Sequence, residues 1–148
     1  MINDGITLQK LLHLLCTEAK ALKGVNYALA TTSSNEINSL TVTNYACMLI
    51  VPVGTHIFKP QTTQFSLDVM YMDRLLNDSS NEIDVLSVAI ESLKQYVQKL
   101  KELDFVVDIP YEIYIQSFTE TEAKSDRCAG AILRLNIEVL NNSECYID

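Results

Sequence analysis

The sequence predicts an α+β domain: a mostly antiparallel sheet of about five strands, with two main helices packed on one face, in the order α-β-β-β-α-β-β. Three stretches carry this expectation. From Asp78 to Leu103, Leu86, Ile90, Leu93, Val97 and Leu100 recur at three- and four-residue steps, the period of a helix. Leu8, Leu11, Leu12, Leu15, Ala19 and Leu22 repeat the same pattern near the start of the chain. Ala131 to Val139 instead sets Ala131, Leu133, Leu135, Ile137 and Val139 on one side against Arg134, Asn136 and Glu138 on the other, the period of a half-buried strand. A run of strands broken by helices, without regular βαβ alternation, points to an antiparallel sheet. The length of 148 residues suits one domain spanning 1–148, and 48% apolar residues argue against disorder.

Taken in order, residues 6–23 read as the first helix. Lys10, His13, Thr17 and Lys20 lie on its polar side, and Lys23-Gly24 makes a stop signal. Val25–Thr32 reads as a strand, and 33–40 as a polar loop. Val42–Val53 reads as the next strand; Ala46 to Val51 is apolar on both alternating sets, which predicts burial on both faces. Pro52, Gly54 and Pro60 punctuate a connection to Gln64 that is too long for a tight hairpin. Gln64–Leu75 is a third strand, with Phe65, Leu67, Val69 and Tyr71 on one face. Ser79 and Glu82 then stand at capping-box spacing ahead of the long helix. Tyr111–Phe118 reads as a fourth strand, 119–127 as a polar loop, and Ala131–Val139 as the fifth strand.

The charge narrows the classes of function. Nineteen acidic against 11 basic residues give a net charge of -8, which disfavours a clamp on nucleic acid or docking to anionic lipid. Cys16, Cys47, Cys128 and Cys145 show no CxxC spacing and no neighbouring His, so they read as free thiols, with no metal or cofactor implied. The N-terminus carries no signal-peptide pattern, and no apolar run reaches the ~18 residues of a membrane span. His13 and His56 lack a catalytic context. Asp108 and Glu112 flank Pro110 in a way that resembles the acidic pair of a metal-dependent nuclease. Those sites usually add a Lys two residues after the second acid, where this chain has Tyr114. No catalytic, metal or cofactor residue is expected, and solvated carboxylates are the plainer reading.

The long helix has an apolar arc wider than one sheet-facing stripe. Its core stripe centres on Leu86, Leu93 and Val97, and Val85, Val88, Tyr96 and Leu103 fall to one side. Leu14 and Ala21 are the same kind of excess on the first helix. Either the two helices pack on each other through these positions, or Leu14, Ala21, Val85, Val88, Tyr96 and Leu103 form a subunit interface. On the second reading, Val88→Asp disrupts assembly and leaves the fold intact.

Two stretches carry a family likeness: Phe65-Ser-Leu-Asp-Val-Met-Tyr-Met-Asp-Arg-Leu through Asp78-Ser-Ser-Asn-Glu-Ile-Asp-Val-Leu-Ser, and Asp126-Arg-Cys-Ala-Gly-Ala-Ile-Leu-Arg-Leu-Asn-Ile-Glu-Val. With the order of elements, they resemble the tail-terminator, or tail-completion, proteins of tailed bacteriophages, including crAss-like phages. The resemblance implies a non-enzymatic virion protein, made in the bacterial host cytoplasm, that forms a homo-oligomeric ring of six or twelve copies at the head–tail junction. Its partners would be copies of itself, neighbouring neck, portal or tail proteins, and genomic DNA as a passing polymer, with no membrane and no cofactor. Six copies would carry -48 and twelve -96, at -8 each. An acidic bore repels the duplex and lets it slide, and Glu120, Glu122 and Asp126 are the candidates for lining it. The connections 52–64 and 119–127 are expected to reach neighbouring subunits. A soluble adaptor or assembly chaperone for tail formation is the competing reading, and the metal-dependent nuclease the third.

Overall fold

The computed structural model describes residues 6–32, 46–76, 80–110, 112–123 and 126–141. The first helix, α1, spans Leu8–Lys20. Thr7 caps it, its hydroxyl accepting from the Lys10 amide at 3.1 Å, which satisfies one donor of the exposed first turn. Leu11, Leu15 and Ala19, one helical turn apart, are its buried face. The chain turns away through Gly24 at φ +89°, a backbone that side-chain-bearing residues seldom adopt.

Strand β1 (Tyr27–Ala30) pairs in parallel with β2 (Cys47–Pro52), Tyr27 opposite Cys47 and Ala30 opposite Ile50. This corrects the expectation of a mostly antiparallel sheet: the sheet is mixed and curled. Sixteen residues separate the two strands, more than the dozen or so that a parallel crossover requires. As expected from its two-sided apolar pattern, β2 is buried from Cys47 to Val51. The expected start of that strand at Val42 lies outside the described residues.

Strand β3 (Ile57–Phe58) folds back on the start of β4 (Thr62–Arg74), so part of the long connection is a small hairpin. Helix α2 follows as Glu82–Lys101, 20 residues and ~30 Å long. The capping-box expectation is corrected here. Glu82 is the first helical residue and Asn81 the cap; Ser79 lies outside the described residues. Three further strands complete the chain: β5 (Val106–Asp108), β6 (Ile115–Ala123) and β7 (Asp126–Leu140). The expected polar loop 119–127 is instead mostly strand. Thr121, Glu122 and Ala123 pair with Cys128, Arg127 and Asp126. Alternating Thr and Glu lacks the apolar side that marks a strand in a sequence.

Among the described residues the sheet runs β1-β2-β4-β7-β5, with β3 beside β4 and β6 beside β7. Its spine is the β4–β7 ribbon, paired from Thr62↔Leu140 to Arg74↔Cys128. Both helices pack on one face of the sheet, as expected, α2 over the β4–β7 spine and α1 beside it over β1 and β2. Leu11, Leu15, Leu93, Tyr96 and Leu100 close over Met48, Ile50, Leu67, Val69, Leu133, Leu135 and Ile137. The opposite face is divided. Around β2 it is apolar, with Cys47, Leu49, Val51, Met72 and Cys128 buried together. Towards the β3 end it is polar: Ser66 donates to Asn136 at 2.8 Å, Thr62 donates to Glu138 at 2.6 Å, and Arg134 pairs with Asp68.

One backbone contact fixes how closely the ribbon closes. A Cβ at Gly130 would stand 1.8 Å from the Tyr71 carbonyl oxygen, so only glycine fits this rung.

Candidate interaction surface

The described surface carries large apolar side chains at several places. At the β3 hairpin, Phe58 is 79% exposed. This hairpin is fastened to the end of β7. Lys59 pairs with Glu138 at 3.4 Å, and Asn141 donates to the Lys59 carbonyl at 2.7 Å. The turn is therefore held in place and presents Phe58 to solvent.

At the other end of the ribbon, the corner between β4 and α2 is also braced. Asn81 accepts from the Leu76 amide at 2.8 Å and donates to the Arg74 carbonyl at 3.2 Å. Asn81 thus spends its side chain on holding the corner, and it makes no side-chain cap to its own helix. The corner carries Leu76 and Ile83, 55% and 75% exposed. Glu82 and Asp84 flank Ile83 in the first turn, where acidic side chains also suit the helix dipole.

Along α2, residues 94, 97, 98 and 101 share a face at helical spacing. They form one wall of an open groove whose other wall is Ile113 and Ile115. Lys94 and Lys101 stand over the half-buried isoleucines, and Tyr114 beside them is 77% exposed, its hydroxyl donating to Glu112 at 3.1 Å. A fourth feature is the distal part of the β6–β7 hairpin. The pairs Glu122↔Arg127 and Ala123↔Asp126 lie beyond Arg74↔Cys128, the last pair of β4 with β7.

The six residues singled out as interface candidates do not form one surface. Tyr96 is fully buried, and its hydroxyl donates to the Leu15 carbonyl at 2.9 Å, tying α2 to α1. Burial pushes its phenol well above the usual value. Val85 is buried with Leu75 and Ala129. For these two the helices and sheet of one chain account for the burial, so the subunit-interface expectation is corrected there. Leu103 packs half-buried against the same core, Leu14 is half-buried on α1, and Ala21 is exposed as the α1 C-cap. Val88 is 51% exposed. The core face of α2 is rotated from the expected stripe. Val85, Ala89, Ser92, Leu93, Tyr96, Val97 and Leu100 are inside, whereas Ile90, read as core, is at the surface. This rotation is what bares Ile83, which the sequence reading did not single out.

Glu120, Glu122 and Asp126 fall in β6 and at the start of β7, at the distal part of the hairpin. The histidines stand apart. His13 is exposed on α1; His56 accepts from the Ser66 amide at 3.2 Å and packs against Phe65 with the rings tilted at 57° and their centres 5.5 Å apart. Asp108 sits in β5 opposite Glu138, and Glu112 is held by Tyr114. Among the described residues, no three of His, Cys, Asp and Glu gather as a metal site, and no helix is long and apolar enough to cross a membrane.

Among the described residues, three cysteines make no disulfide, Cys16 half-buried and Cys47 and Cys128 buried; Cys145 lies outside the described residues. Burial, with Cys128 and Asp73 nearby, pushes the Cys47 thiol up to about 12. No model of a known protein family matches the chain, and no curated protein sequence matches it.

Proposed function

We propose that this chain is a structural subunit of a tailed-bacteriophage particle, forming a ring of six or twelve copies at the head–tail junction and completing the tail. The observation that carries the reading is the placement of large exposed apolar side chains at separate, braced places: Phe58 on one hairpin, and Leu76 and Ile83 on the opposite corner. Side chains of this kind gain most when a neighbour covers them, and patches at different places suit heterologous contacts of the kind that close rings. The family resemblance in 65–87 and 126–139 agrees with it.

In this reading the β6–β7 hairpin points into the bore. Between 119 and 127, Glu120, Glu122 and Asp126 outnumber Lys124 and Arg127. The hairpin is thus mildly acidic, and its carboxylates supply the repulsion that keeps DNA sliding. Screening limits this to charges within ~8 Å of the duplex.

Native mass spectrometry of the purified chain tests the proposal. Six- or twelve-fold species are expected, with no retardation of duplex DNA at physiological salt. A chain that stays monomeric at every concentration, or a ring that binds DNA tightly, would sink it. Proteomics of purified particles separates a ring component, which is retained, from an assembly chaperone, which is not.

A further inference from the structure

The braced corner and the α2 groove are complementary. The corner is an apolar knob, Leu76 and Ile83, with carboxylates at Glu82 and Asp84. The groove is an apolar trough, Val97, Ile113 and Ile115, with ammonium groups at Lys94 and Lys101. In a chain of net charge -8, two lysines over an apolar trough are a local reversal of sign. Lys94 pairs with Glu91 at 3.3 Å, and both side chains are more than half exposed, so that pair holds it weakly. Knob and groove sit on the same helix, eleven residues apart from Ile83 to Lys94, or ~16 Å at 1.5 Å per residue. The helix is rigid, so the two cannot meet within one molecule.

We infer that the groove formed by Lys94, Val97, Lys101, Ile113 and Ile115 receives the Leu76/Ile83 corner of a second copy of this chain, with Glu82 and Asp84 of that copy against the two lysines. This inference rests on the ring reading and names the contact that builds the ring. The contact is heterologous: each copy offers one knob and one groove, and every added copy leaves one of each open until the ring closes. The apolar part supplies the burial, and the charges set register and orientation.

A charge-reversal experiment on the full-length chain tests it by native mass spectrometry. One variant carries Lys94→Glu and Lys101→Glu, so knob and groove are both acidic. The other carries Glu82→Lys and Asp84→Lys, so both are basic. Each alone is expected to assemble at a protein concentration roughly tenfold higher or more than the natural chain, because like charges then face each other. Mixed one to one, they restore assembly, with the two masses alternating round the ring. Circular dichroism before mixing confirms that each variant is folded, and the lysine variant pair by itself decides the matter if the other fails to fold.

The two ideas fail differently. If the natural chain assembles and Lys94→Glu with Lys101→Glu changes nothing, this contact is wrong and the ring stands. If the natural chain is monomeric throughout, the ring reading falls and takes the contact with it. A natural chain that stops at two copies would also overturn the contact, since a head-to-tail pair has no reason to stop there.

Discussion

Replacing Gly130 with Ala tests the tightest point of the β4–β7 spine. The added methyl would stand 1.8 Å from the Tyr71 carbonyl oxygen and 2.8 Å from its carbon, whereas ordinary contact begins near 3.4 Å, so about 1.6 Å must be recovered. Both obstacles are backbone, and neither can rotate away. The strands must part locally, and hydrogen bonds near 2.9 Å stretched by that amount are no longer bonds. Losing about two rungs costs about 2 kcal/mol, and strain from overpacking adds about 1 kcal/mol or more. For 148 residues, a loss of about 3 kcal/mol lowers Tm by about 10 °C, at roughly 2.1 cal/mol/K of unfolding entropy per residue. Urea titration of Gly130→Ala measures the loss, and amide exchange at Met72 and Ala131 locates it. A variant less than about 1 kcal/mol weaker, with those amides as protected as before, would refute the claim that this rung admits only glycine.

Three further outcomes follow from side chains already described. Tyr96→Phe removes the hydroxyl that donates to Leu15 and is expected to cost about 1 kcal/mol in a urea titration; unchanged stability would mean the bond contributes nothing. Brief alkylation at pH 8 of the folded chain should label Cys16 ahead of Cys47 and Cys128, since the Cys47 thiol is pushed up to about 12; prompt labelling of Cys47 would contradict its burial. The Thr62 hydroxyl, and then Lys59, hold the Glu138 carboxyl below its usual value. A depressed carboxylate stabilises the fold at pH above its unfolded value, and that contribution is lost as pH falls through the folded one. Glu138→Gln should therefore flatten stability against pH on the acid side, and an unchanged acid slope would show that the Thr62 contact is immaterial.

The elements most directly legible in the sequence are those with a single apolar side, together with β2, whose two apolar sides mark it as buried. The Leu11-Leu15-Ala19 face of α1 and the alternation from Ala131 to Val139 could be read directly, because each has one partner, the sheet or the helices. Helix α2 misled because its apolar arc is broad. Hydropathy alone cannot choose between Leu86 and Tyr96, and the choice is made by the Leu15 carbonyl on α1, which accepts the tyrosine hydroxyl. The distal part of the β6–β7 hairpin, within 119–127, reads as a loop because Thr-Glu-Thr-Glu has no apolar side, although its period of two is there to see. The parallel pairing of β1 with β2 depends on the path of a connection, which no local pattern encodes. The knob at Ile83 followed from the rotation of α2 and was hidden for the same reason. The groove needed Ile113 and Ile115 to be brought beside Lys101, a matter of tertiary placement.

The β4–β7 ribbon also governs how the chain finds its fold. Its pairs join residues 54 apart at Arg74↔Cys128 and 78 apart at Thr62↔Leu140. Closing a loop of that size costs chain entropy before any rung repays it, whereas the β6–β7 hairpin closes between neighbours in sequence. The hairpin and the helices therefore form early, and β4 waits, its hydrogen-bonding edge open, until β7 arrives. Folding is expected to be slow for the size of the chain and sensitive to concentration, because an open β4 edge can be met by another molecule's strand before its own. The same long-range spine that makes the native sheet hard to unzip makes dilute, unhurried refolding the condition under which it forms.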